Sequence, residues 1–207
     1  MRPCKWNSFL WHLTCLFLLI GVFLSPEIAM GEKVTVLDEF DQQVKSWGGE
    51  CKHAVMAILD DLLQSGTLTE NQLFDTFYIP IPNSEPPKYH TQYDRVLDKV
   101  LKKTLDSYLS KHDRLVYVVA VDVNGYVPTH NSRYFQPVSG NPKKDLMASR
   151  SKRMFNDQAG LAASRSLEPF FLQRYFRDTG EVLYDMSLPI FIRDRHWGAI
   201  RFGYRHP

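Results

Sequence analysis

Thr129, His130 and Asn131 stand together just after an apolar run, and they are the first residues in this chain whose types could do chemistry. The imidazole of His130 could donate to an anion, ligate a metal or bind haem. No H-x-x-x-H spacing and no carboxylate cluster joins it, so a metal site has no support in the sequence. Arg150, Lys152 and Arg153 put three cations within four residues. A guanidinium can grip a carboxylate through two parallel N–H groups, which makes Arg150 and Arg153 candidates for anion binding. Lys152 reads as part of a solvated helix face. Tyr126, Tyr175 and Trp197 are the aromatic candidates, each of a type that suits a core position equally well. Asp178 and Gly180 read as turn residues, and Asp122 as the holder of its own turn.

Catalysis has little to stand on. Ser164, Ser166 and Ser187 lack a nucleophile-elbow motif, and NGYVPTHN carries one Gly where a phosphate loop needs several. Asp60 and Asp61 are adjacent on a helical stretch and so point in different directions. The residues favour a binding protein over an enzyme.

The candidates must be positioned by the stretch Leu115 to Asn131, LVYVVAVDVNGYVPTHN. Val116 to Val121 is β-branched and aromatic without alternation, which predicts a strand buried on both faces. Asp122, Asn124 and Gly125 supply turn chemistry, Tyr126 and Val127 begin a return strand, and Pro128 ends it. Upstream, Leu37, Phe40, Val44, Trp47, Cys51, Ala54 and Ile58 form a heptad stripe on a long helix, weakened at Gly48-Gly49 and ended at Gly66. The stripe suits either its own domain or a second copy. Thr69 and Gln72 form a capping box for a short helix. Four prolines between Tyr78 and Tyr89 predict an ordered loop, since the apolar residues among them are too many for a free linker. A helix from about Gln92 carries Val96, Leu97, Val100, Leu101, Leu105, Tyr108 and Leu109 on one face. Downstream, a Pro/Gly-rich loop leads to helical turns between Asp145 and Ala163. Strands follow at Phe170–Arg177, Glu181–Ile192 and Trp197–Tyr204, with Asp178-Thr179-Gly180 as a hairpin turn and Pro189 marking a bulge or edge. The economical architecture is α+β: a five-stranded antiparallel sheet with a long N-terminal helix and flanking helices.

The 207 residues argue for one domain with a helical appendage; the formal charge of +2 argues neither for nor against nucleic acid, but no basic tract alternates with aromatics as a nucleic-acid groove requires. Arg2 and Lys5 precede an apolar run from Phe9 to Leu24, short of the ~20 residues a membrane span needs. With Pro26 and the small-x-small site Ala29-Met30-Gly31, residues 1–31 read as a secretory signal peptide, the mature chain starting at Glu32. The alternative is an uncleaved inner-membrane anchor. Either way the domain is exported, to the periplasm. Cys4 and Cys15 lie in the leader, so Cys51 is left without a disulfide partner.

The order of two strands, a helical crossing and a three-strand meander resembles a PAS or single Cache domain, and the wording is closer still. DVNGYVPTHNSRYFQP, RSKRMFND, LEPFFLQRYFRDTGEVLYDMSLPIFI and HWGAIRFGY resemble sensor segments of bacterial methyl-accepting chemotaxis proteins, over about Leu73 to Tyr204. The leader and the first helix lie outside the resemblance, and the chain is expected to divide into residues 32–112, an N-terminal helical region with the Pro-rich loop, and 113–207, the PAS/Cache-like sheet domain. The resemblance implies small-ligand sensing in signal transduction, with the ligand between the inner sheet face and the crossing helices. The end of the central hairpin and the segment Arg150 to Asp157 would face that ligand. Tyr126, Thr129, His130, Asn131, Arg150, Arg153, Tyr175 and Trp197 are then the expected ligand-binding set. Sensors of this kind often dimerise through the N-terminal helix, and a membrane receptor or envelope partner would carry the signal from a chain expected to lack its own output domain. No cofactor is expected. Covalent haem has no C-x-x-C-H to hold it, and non-covalent haem on His130 is the alternative.

Overall fold

The computed structural model describes residues 31–206. The expected leader, residues 1–31, lies outside them except for Gly31. Among the described residues, no helix is long and apolar enough to cross a membrane.

The architecture is α+β around a five-stranded antiparallel sheet. Its strands are β1 (Glu32–Lys33), β4 (Leu115–Asp122), β7 (Phe171–Phe176), β8 (Val182–Ile192) and β9 (Arg195–Tyr204), in the order β1-β7-β8-β9-β4. β4 is buried at every position, which explains why its sequence shows no apolar–polar alternation. β7, β8 and β9 form the expected meander. Asp178-Thr179-Gly180 turns the first hairpin with Gly180 at φ +88°, and Arg193 and Asp194, both at positive φ, turn the second. The bulge expected near Pro189 falls just after it, between Ile190 and Phe191.

The fifth strand of the sheet is not the expected one. β5 (Tyr126–Val127) pairs with β6 (Arg153–Met154) in a separate two-residue ribbon, while the N-terminal β1 completes the sheet beside β7. Pro128 ends β5 too soon for a long pairing, and the backbone of the 152–155 segment takes its place beside it. Lys152 N donates to Val127 O at 2.6 Å, and Phe155 N donates to Gly125 O at 2.8 Å. The helical turns expected from Asp145 to Ala163 are therefore split into α5 (Pro142–Ala148) and α6 (Gln158–Arg165), with β6 between them.

One face of the sheet is covered by helices. α1 (Glu39–Gln64) starts at a capping box in which Asp38 accepts from Asp41 N and Asp41 accepts from Asp38 N. Its buried face is Val44, Gly48, Cys51, Val55, Leu59 and Leu62 against the chain's own sheet, so of the expected heptad stripe only Val44 and Cys51 are fully buried and the face is shifted to Gly48, Val55 and Leu59. Leu37, Phe40, Trp47 and Ile58 pack half-buried at the margin of the same core. The helix continues unbroken through Gly48-Gly49. A Cβ at Gly48 would come within 2.6 Å of Leu188 Cδ1, so the missing side chain is what lets α1 seat on β8. α2 (Glu70–Leu73) opens at the Thr69/Gln72 capping box. The proline-rich segment forms an ordered loop closed by β2 (Ile79–Pro80) and β3 (Tyr89–His90). The helix expected from Gln92 is two, α3 (Asp94–Val100) and α4 (Lys102–Leu109). Leu59, Leu73, Leu97, Leu101 and Leu105 are fully buried, and each contributes on the order of 1.5–3 kcal/mol. This core joins residues on both sides of the expected boundary at 112/113.

The opposite face carries a smaller apolar cluster, Val116, Tyr117, Val119, Val121, Val127, Tyr134, Leu183 and Ala199. α6 covers part of it through small residues, Ala159, Gly160, Ala163 and Ser164. The functional candidates divide between these two faces.

Candidate ligand-binding site

A cavity of about 50 Å³ opens on the second face, under α6 and the β5–β6 ribbon. Its apolar wall is Val119, Val121, Val127 and Phe155, and its polar wall includes His130, Arg150, Tyr175, Arg177 and Arg201. Of the sequence-predicted residues, the structure brings His130, Arg150 and Tyr175 together there, with Arg153 in the ion-pair cluster that borders it.

The β4 edge explains how His130 arrives. β4 is an outer strand of the sheet, and Asn131 Oδ1 accepts from Val118 N on that strand at 2.8 Å. Asn131 thus replaces a missing strand partner, which protects the edge and fixes the chain on either side. Asn131 N in turn donates to His130 Nδ1 at 2.8 Å. Since Nδ1 accepts, the ring proton sits on Nε2 and the imidazole is a donor. Burial, reinforced by Arg150, Arg177 and Arg153, holds the His130 pKa well below the ordinary imidazole value, so the ring stays neutral. It lies edge-on to Tyr134 and Tyr117, with ring centroids 4.8 and 6.3 Å away.

Arg150 and Arg153 close on one carboxylate. Arg150 Nη2 donates to Asp178 Oδ1 at 2.8 Å, and Arg153 Nη2 donates to Asp178 Oδ2 at 2.9 Å. Both guanidiniums also reach Leu146 O and lie over the Phe155 ring. Burial acts to raise the Asp178 carboxyl, but the two arginines outweigh it and hold it below its ordinary range. Asp178, read as a turn residue, is thus also the counter-ion of the arginine pair. Lys152 corrects the expectation of a solvated helix face. It precedes β6 at φ +63°, and its ammonium is buried between Asp98 at 2.6 Å and Asp94 at 3.1 Å. The left-handed backbone at Lys152, just before β6, turns its side chain away from that of Arg153.

The floor is a buried polar network. Arg201 donates through Nε and Nη2 to Asp185, the Nη2 contact at 2.5 Å, and both side chains are almost wholly buried. Tyr117 OH donates to Asp185 Oδ1 at 3.2 Å and lies 2.9 Å from Tyr175 OH. Gln173 Nε2 donates to Asp185 Oδ2 and to Ala159 O, which ties α6 to the network. Tyr117 pairs across the sheet with Gly203, where a Cβ would strike its ring at 2.1 Å. The bare glycine is what allows that ring to lie flat over β9. Sequence reasoning passed over Asp185, Arg201 and Arg177. The signal was present: Asp185 and Arg201 are lone opposite charges inside otherwise apolar strands of one meander.

The remaining candidates lie elsewhere. Trp197 and Tyr126 belong to the helix-side core. Trp197 Nε1 donates to Leu73 O at 3.0 Å, and Tyr126 OH donates to Tyr89 O at 2.8 Å. Thr129 is buried and does not line the cavity. Asp122 holds its turn as expected, accepting from Asn124 N and Tyr126 N, and also receives the hydroxyls of Tyr78 and Tyr93.

The residues do not fit an axially ligated haem. Iron-bound histidines usually donate from the other ring nitrogen, whereas His130 Nδ1 already accepts a backbone N–H. The cavity is also far too small for a tetrapyrrole. Proton transfer near neutrality is poorly served too. Burial pushes Tyr175 up to about 12 and holds Tyr117 well above its ordinary value, while Asp178 is held low and His130 neutral. No family model, curated protein or solved structure matches the chain.

Proposed function

We propose that this protein is an exported small-ligand-binding sensor module of bacterial signal transduction, similar in role to the sensor segments of chemotaxis receptors. The observation that carries this reading is the cavity on the second sheet face, where His130, Arg150 and Tyr175 meet although they come from three separate segments of the chain. Buried polar groups that a core does not need are costly, and their convergence on a small cavity supports a site selected for binding. The PAS/Cache resemblance of the motifs supports the same reading, as does an α+β frame whose helices leave one sheet face for a ligand.

The signal would leave through a membrane receptor or another envelope partner. The test is a thermal-shift screen of amino acids, organic acids and purines against the purified domain. A true ligand at ~100 times its Kd adds ~2.7 kcal/mol and raises Tm visibly. A domain that responds to no class would instead be a structural subunit. Export is tested by cell fractionation with N-terminal sequencing, which should find the chain outside the cytoplasm and starting near Glu32.

A further inference from the structure

Among the described residues, Arg177 is the one residue lining the cavity with buried donors that lack a protein partner. Its Nη1 donates to Glu181 Oε2 at 2.9 Å, and its backbone N donates to Glu181 O at 2.8 Å. Its Nε and Nη2 are both buried and unpaired. Those two nitrogens form the side-on fork of a guanidinium, with parallel N–H groups spaced for the two oxygens of a carboxylate. The residue is 6% exposed, its guanidinium carbon 5.3 Å from the Tyr134 ring centre and 5.9 Å from that of Tyr117. His130 packs against the same two rings and carries its proton on Nε2.

The other arginines here are already committed. Arg150 and Arg153 share Asp178, and Arg201 is paired with Asp185. Asp157, the other carboxylate on the lining, accepts from Gly160 N at the start of α6. Unpaired ionic donors in a dry site are expensive, and an anion relieves that cost. Room decides the rest. A water needs ~10–15 Å³ measured the same way, so about 50 Å³ admits only a handful of heavy atoms. Val119, Val121, Val127 and Phe155 supply an apolar wall for whatever is not charged.

We propose that the cavity binds a short-chain monocarboxylate, with its carboxylate on the free Nε/Nη2 fork of Arg177, a hydrogen bond from His130 Nε2, and its tail against Val119 and Phe155. This inference rests on the sensor reading above and narrows it to one ligand class. The gripping arginine is Arg177, whereas Arg150 and Arg153 are committed to Asp178.

The test is arginine-side-chain and methyl NMR of the wild-type domain, titrated with sodium acetate, propionate or pyruvate. Propionamide and sodium chloride at matched ionic strength serve as controls. The Arg177 Nε–H signal, assigned by its loss in Arg177→Lys, is expected to move and saturate with a carboxylate and with neither control. Arg177→Lys, which keeps the charge and loses the fork, should weaken binding by about tenfold or more. Saturation by chloride alike, or by propionamide alike, overturns carboxylate recognition. A compound of another class that moves the Val119 and Val127 methyl signals without moving Arg177 overturns this inference and leaves the sensor reading standing. If no compound moves either set of signals, both fall.

Discussion

The two faces of the sheet are built on opposite principles. The helix face is a packed, mainly hydrocarbon core in which Leu59, Leu97, Leu101, Leu105 and Phe202 are fully buried, the polar groups of Trp197 and Tyr126 are satisfied by backbone carbonyls, and the buried carboxylates Asp41 and Asp122 receive tyrosine hydroxyls. The second face buries Asp185, Arg201, Arg150, Arg153 and Arg177 around a void. Burying charge contributes little net stability even when it is paired, so the second face is a poor device for holding the fold together. The helix face already does that. The division suggests that one side of a single sheet stabilises the domain while the other is free to specialise for a ligand.

The sharpest way to break that contrast is Asp185→Asn. It strands the Arg201 charge in the interior, and chemical denaturation should show a loss of about 3–5 kcal/mol. Replacing both partners by apolar residues, Asp185→Leu with Arg201→Met, should recover most of that loss, because the pair itself is worth little. If the double variant stays as unstable as the single one, the network is structural after all. On the helix face, Leu59→Ala should cost about 2–5 kcal/mol by opening a cavity, while leaving ligand affinity in the intact fraction unchanged. An affinity change there would mean that the faces are coupled.

Acid should act through the second face. The His130 pKa is depressed in the folded state, so below about pH 6.5 the unfolded chain takes up a proton that the folded chain refuses. Stability should therefore fall as pH drops below that value, by at most about 1.4 kcal/mol per pH unit from this group. In His130→Gln that part of the slope should disappear; an unchanged profile would show that the ring is not buried neutral. The smallest expected signal concerns Cys51. Its thiol is fully buried in the helix-side core, and burial raises its pKa far above the ordinary value. Thiol reagents should leave it unmodified until the protein unfolds, and rapid labelling of the native state would show that α1 lifts off the sheet.

Which features could be read from the sequence follows the same division. β4, the Thr69/Gln72 cap, the Asp178–Gly180 hairpin turn and the three-strand meander each carry a local signal, either an apolar run or a turn residue at a fixed offset. β6 does not, because two residues paired with a two-residue partner leave no periodicity to detect. β1 is missed for the same reason. The site is intermediate. His130 and Arg150 were identifiable by residue type, but the fact that Asp178 ties up Arg150 and Arg153, leaving Arg177 with the free edge, depends on how the β7–β8 turn folds back over the 150–153 segment. Trp197 and Tyr126 are candidates by residue type alone, and strand alternation sends them to the opposite face.

The most direct test is a crystal structure of the protein grown with a saturating short-chain carboxylate such as propionate. The expected result is density for the acid in the second-face cavity, its two oxygens on Arg177 Nε and Nη2, with the helix face around Trp197 and Tyr126 unchanged. Density for the acid among the α1, α3 and α4 residues, or ordered water on Arg177 with no acid bound, would contradict the assignment of ligand binding to the second face.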